Sequence, residues 1–209
     1  MWDLFVKGGM LMYPILLCSI IALGIVIEKF VQYFRIRKTG SIWALLKLKK
    51  LVAHGDIKIA KEEALHSSHH LIRELGYCLA NTPSRLTMEK ILFQSGQKEV
   101  RRLEKYLPTL AIIANISPLL GLLGTVMGMI KAFMVVEKMG NKVNAGFLAG
   151  GIWEAMLTTA FGLTVAIPTL MFYSYFTNRV NDYVTELEDC LNSILNLLEK
   201  KGFFQDDSV

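Results

Sequence analysis

The apolar residues of this chain are gathered into long uncharged blocks. Lys7 and Glu28 enclose twenty uncharged residues (8–27), and Lys105 and Lys131 enclose twenty-five (106–130). Between Lys142 and Arg179 the only charge is Glu154. About 20 apolar residues, rising roughly 1.5 Å each, carry a helix across a bilayer. The pattern predicts three transmembrane helices, near 11–33, 106–133 and 146–175. Backbone groups in lipid must be bonded internally, which selects helix, and the ten-residue alternation of a membrane barrel is absent. The expected fold class is an all-α polytopic membrane protein in which the second and third helices are long and extend into the cytoplasm.

Four segments follow: an interfacial piece with the first span (1–34), a helical region (35–104), the second and third spans (105–178) and an amphipathic tail (179–209). In the first, Trp2 and Phe5 suit the headgroup level, and Gly8-Gly9 breaks the chain before the span. A cleaved leader is not expected, because the start lacks a basic cluster and no small-x-small site precedes the charges. In the second segment Ser41 is placed to cap a helix running to about Lys50, and Gly55-Asp56 reads as a stop followed by a new cap. A further helix is expected over 69–81, ending at Thr82-Pro83. From Leu86 a helical pattern runs towards span two, with Pro108 and Pro118 expected to bend that helix rather than end it. In the tail Val180, Val184, Leu187, Leu191, Ile194 and Leu198 recur at heptad spacing. That seam suits either docking on the chain's own helices or pairing between subunits.

Composition agrees with this division. Hydrophobic residues make up 53% of the 209, more than a soluble domain of this size usually carries. The net charge is +5, and residues 29–105 hold sixteen of the twenty-three Lys and Arg. Arg35, Arg37 and Lys38 follow span one, and Arg101, Arg102 and Lys105 precede span two. The positive-inside rule then places this middle region in the cytoplasm, the N-terminus and the 134–145 loop outside, and the tail inside. We read the basic excess as topological rather than as a nucleic-acid site. Cys18, Cys78 and Cys190 are odd in number and far apart, so no disulfide framework or metal site is expected. His66, His69 and His70 can share a helix face, which we read as solvated surface. No P-loop, H-E-x-x-H or Ser/His/Asp pattern is present, and neither an enzyme nor a cofactor is expected.

The chemistry therefore concentrates on Glu154. A charge at the centre of a span is unfavourable by about 2.5–3.5 kcal/mol on translocon scales. Such carboxylates bind a proton or face a bundle interior, a water-filled path or a partner. The bland alternative is a shallow position from which the side chain snorkels to the outer surface. Ala155, Thr159, Gly162, Ala166 and Thr169 follow i, i+4, i+7, i+11, i+14, a small-residue stripe that lets helices approach closely. Thr158 stands one turn after Glu154. Its hydroxyl and that of Thr159 could serve water or an ion, or bond back to the helix's own carbonyls. Span two presents Gly121, Gly124, Thr125 and Gly128 as a second small face, with Gly124-x-x-x-Gly128 as a packing motif.

These segments resemble a known family. "GIWEAMLTTAFGLTVAIP" (151–168) is similar to the third-span signature of the MotA/TolQ/ExbB proton-channel family, and "ISPLLGLLGTVMGMIKAF" (116–133) to its second-span signature. "FVKGGMLMYPILLCSIIALGIVIEKF" (5–30) resembles the N-terminal part of the ExbB/TolQ branch, and three spans rather than four favour that branch over a flagellar stator. The resemblance implies a homopentamer in the bacterial inner membrane. It implies a single-span ExbD- or TolR-like partner that carries an essential intramembrane Asp, and ion flow that drives TonB or TolA. Glu154 falls on the family's third-span glutamate, Thr159 on its pore threonine and Thr125 on the second-span threonine. Thr158 departs from the Ala of many members, and the added hydroxyl leaves H⁺ against Na⁺ open, with H⁺ preferred.

Overall fold

The computed structural model describes residues 9–39, 41–81, 84–139 and 145–204. Trp2, Phe5, Gly8, Thr82-Pro83 and residues 140–144 lie outside the described residues; of the loop expected over 134–145, residues 134–139 are helical. Within them the chain is all-helical: α1 (Met12–Thr39), α2 (Ser41–His54), α3 (Ile57–Leu65), α4 (His70–Asn81), α5 (Arg85–Glu104), α6 (Leu107–Met139) and α7 (Ala145–Lys200). Three helical stretches are long and apolar enough to cross a membrane, and at most 28% of their most apolar windows is buried within the chain. Leu119, Phe133, Ile167 and Met171 are among the large apolar side chains left exposed. Apolar surface on this scale suits a lipid or protein environment rather than water.

The chain divides into two compact units. The first comprises Met1–Lys29 and Tyr106–Phe176, the second Phe30–Lys105 and Thr177–Val209. In the first, α1 buries Met12, Ile15, Ala22, Ile25 and Val26 along one face. The apolar parts of α6 and α7 lie side by side, as the site below details.

In the second unit α3 and α4 pack on each other, α2 touches both, and α4 packs on α5. The heptad residues of the tail dock here: Val180, Leu187, Leu191, Ile194 and Leu198 are buried, together with Tyr183 and Leu195. Of the two uses open to that seam, the structure fills the one on the chain's own helices. Leu187 reaches Gly96, where a Cβ would stand 3.2 Å from its Cδ2. Arg85 bonds Glu199 and, at 3.1 Å, Asn196. Gly202, at φ +67, ends α7 as Phe203 N–H bonds the Leu198 carbonyl and Gly202 N–H that of Glu199, a Schellman closure.

Three local expectations need correction. Ser41 is the first residue of α2, which continues to His54, and it does not cap the helix. Its hydroxyl is drawn instead to Glu99 and Tyr183, a stronger pull than a local amide. Asp56 stands at the N-cap of α3, but its side chain makes no capping bond, while Gly55 (φ +96) closes α2 as expected. The pattern from Leu86 is not one helix: α5 ends at Glu104 and α6 begins at Leu107, with Tyr106 at φ 70 between them. Pro108 has no N–H to give the Glu104 carbonyl, and its ring would clash there, so the helix stops and restarts. Pro118, further in, is carried inside α6.

Candidate functional site

The site lies in the first unit, where α6 and α7 run antiparallel with small residues in register. Gly128 meets Ala155, whose Cβ would be 2.8 Å from a Cβ at 128. Gly124 meets Thr158, Gly121 meets the Thr159 backbone at 2.9 Å, and Gly162 meets the Ser117 carbonyl at 2.6 Å by the same measure. At the far end Gly151 meets Ala132. Gly121, Gly124, Gly128 and Gly162 are all buried in this seam, and so is Ala166. Such backbone proximity multiplies weak dispersion contacts where the hydrophobic effect cannot help, because lipid is as apolar as the helices.

The threonine hydroxyls all donate to carbonyls. Thr158, 1% exposed, bonds the Glu154 carbonyl of its own helix at 2.9 Å. Thr125 bonds Leu122 at 2.7 Å. Thr159 crosses the seam to the Gly121 carbonyl at 2.8 Å, a bond that ties α7 to α6.

Glu154 lies on α7 at the edge of this seam. Its Oε1 accepts from Lys131 Nζ of α6 at 3.1 Å. The carboxylate is about one-third exposed in the isolated chain and the ammonium more than half. From the other side comes Gly9, the residue before the turn into α1. A Cβ there would collide with Oε1 and stand 3.2 Å from Cδ. Gly9 also sits at φ +74, so both its backbone conformation and the space around it favour the absence of a side chain.

The structure thus gathers Glu154, Thr158, Thr159, Gly121, Gly124, Gly128 and Gly162 into one seam. Thr125 stands beside it, half-buried, one residue past Gly124. Sequence reasoning missed two members. In the sequence Lys131 reads only as the charge that closes span two, and Gly9 only as a break. The Lys131 pairing follows once the small faces are set antiparallel, because Gly128 opposite Ala155 brings residue 131 towards residue 154. No such register fixes Gly9. Among the described residues, no three His, Cys, Asp or Glu cluster as a metal site.

Comparisons with known proteins converge. The profile of the MotA/TolQ/ExbB proton channel family matches residues 59–189. A putative biopolymer transport protein, ExbB-like 1, from Synechocystis is 33% identical over 183 residues, 82% of this chain and 68% of that one. Salmonella typhimurium ExbB, a biopolymer transport protein, is 30% identical over 204 residues, 93% and 82% of the two chains. Haemophilus influenzae TolQ, a Tol-Pal system protein, is 35% identical over 106 residues, 51% and 46%. A solved C. jejuni MotAB structure superposes with a TM-score of 0.61 at 15% identity, covering 91% of this chain and 81% of that one, which shows a shared fold.

Proposed function

This chain belongs to the MotA/TolQ/ExbB proton channel family, and from that footing we propose that it is the ion-channel subunit of an ExbB–ExbD or TolQ–TolR type motor. Family membership and the three apolar helices make it a multi-pass membrane protein of an energy-transducing class. The finer reading is ours. The chain assembles as a homopentamer with its N-terminus periplasmic and its C-terminus cytoplasmic. Its partner is a single-span ExbD/TolR-like subunit with an intramembrane Asp. Ion flow through the pair drives a TonB- or TolA-like protein.

The observation that supports this most is Glu154 itself, the only charge between Lys142 and Arg179, kept on a tightly packed helix seam. A packed seam fixes where its carboxylate stands, which a shuttling group needs. Glu154 takes and releases the ion, Thr159 and Thr125 line the route, and Thr158 supports the carboxylate's helix turn. One charge crossing about 100 mV releases roughly 2.3 kcal/mol. Glu154 is the lone carboxylate of its span, so a second titratable group comes from the partner. A Na⁺-driven motor of another envelope or motility system draws on the extra Thr158 hydroxyl. A scaffold that conducts nothing draws on the Lys131–Glu154 pair as a packing device.

The test in the producing cell is Glu154→Ala, with native electrophoresis for assembly and the deletion strain's phenotype as the activity scale. The expected result is an assembled complex with a deletion-like phenotype. Full activity in that variant would refute the pore role.

A further inference from the structure

We propose that Lys131 is a specificity-determining residue: its ammonium occupies the cation position of Glu154 and keeps metal ions off it, leaving the proton as the ion the site accepts. The proposal rests on Glu154 being the ion-carrying group, and adds a reason for the choice of ion from this chain's own residues.

The geometry is asymmetric between the two carboxylate oxygens. Oε1 is covered twice, by Lys131 Nζ at 3.1 Å and by the backbone of Gly9, where even a methyl group has no room. A hard metal cation needs a shell of several oxygens and often takes a carboxylate through both of its own. Here one of those two is already spent on an ammonium, a group that donates only and cannot join a metal's shell. The nearest hydroxyl along α7 is that of Thr158, one turn on, which donates to the Glu154 backbone carbonyl at 2.9 Å, while the Thr159 hydroxyl is turned across the seam to the Gly121 carbonyl.

A proton needs none of this. It occupies one lone pair of Oε2, and the Oε1 of the resulting acid still accepts from the ammonium. Protonation thus leaves Lys131 in place, whereas a metal ion must either displace it or sit beside a like charge. No other charge on α7 between Ala145 and Asn178 competes for the ammonium. On α6 the next charges are Glu137 and Lys138, about two turns further on. Thr158 therefore does not by itself make a sodium site, because the position it would serve is filled.

The test is sodium binding to the full-length protein in lipid nanodiscs, read by sodium NMR line broadening, with thermal melting as the folding control. Lys131→Met removes the charge and adds no oxygen ligand; its Na⁺ affinity is expected to rise about tenfold over wild type. The gain should vanish in Lys131→Met/Glu154→Gln and be absent in Lys131→Arg, which restores the charge. If Lys131→Met destabilises the protein, Lys131→Leu, which also brings no oxygen, serves with the same expectation. Equal Na⁺ affinity in wild type and the uncharged variants overturns the proposal, and so does a gain that survives loss of the Glu154 carboxylate. Binding is measured here without the partner or flux, so this result stands apart from the Glu154→Ala phenotype that tests the motor reading.

Discussion

Gly124 on α6 and Thr158 on α7 stand so close that a Cβ on residue 124 would lie 2.7 Å from that of Thr158. The contact is part of a ladder in which each rung leaves the other helix no room for a side chain. Gly162→Ala should be the most damaging of the ladder's alanine substitutions, because the new methyl would meet the Ser117 carbonyl oxygen at 2.6 Å and backbone cannot rotate away. A loss of about 1–3 kcal/mol is expected, as for overpacked cores. Gly24→Ala and Gly150→Ala, with nothing within 4 Å, should be neutral or stabilising by up to about 1 kcal/mol. Thermal unfolding of the detergent-solubilised protein ranks the three.

In the second unit Tyr183 Oη donates to Glu99 Oε1 at 2.7 Å, and Ser41 Oγ contacts both. The three side chains join α2, α5 and α7, with Ser41 and Tyr183 buried and Glu99 half-buried. Burial pushes the Tyr183 phenol far up; the Ser41 hydrogen bond opposes this, and the Glu99 carboxylate adds to it. Tyr183→Phe removes a donor from a carboxylate and should cost about 1–3 kcal/mol. In a spectrophotometric alkaline titration, Tyr183 should be the last tyrosine to ionise, identified by its absence in the variant.

Much of this was legible in the sequence, for physical reasons. Two uncharged runs and a third interrupted only by Glu154 are long enough to be spans, and a heptad such as Leu187, Leu191, Ile194 and Leu198 must bury its seam. The small faces of α6 and α7 announced a close contact. What the pattern did not carry were pairings set by three-dimensional register. Lys131 looks like any flanking charge until α6 and α7 are set side by side. Ser41 has the right residue type for a cap, but the distant Glu99 and Tyr183 claim its hydroxyl. The break at Tyr106 was masked because residues 86–133 keep helical composition throughout, and only Pro108 hinted where the ladder of hydrogen bonds would fail.

Cys78, buried on α4, gives a pH prediction. Burial and, secondarily, the Glu74 carboxylate raise its thiol from 9.0 to about 11. The folded state therefore holds this proton more tightly than the unfolded chain. The resulting stabilisation is complete below pH 9 and is lost as pH rises to about 11. Melting temperature measured across that window should fall more steeply in wild type than in Cys78→Ala. At neutral pH the thiol should also react slowly with maleimide until the protein unfolds.

The measurement closest to the central claim is proton uptake into liposomes that hold the chain together with its single-span partner, under an imposed potential and read by an internal pH dye. Wild type should take up protons only when the partner is present. Glu154→Gln, which keeps the side chain's shape and loses its exchangeable charge, should reduce that uptake to the rate of empty liposomes. Uptake by Glu154→Gln at the wild-type rate would show that protons cross without this carboxylate, and would contradict the account.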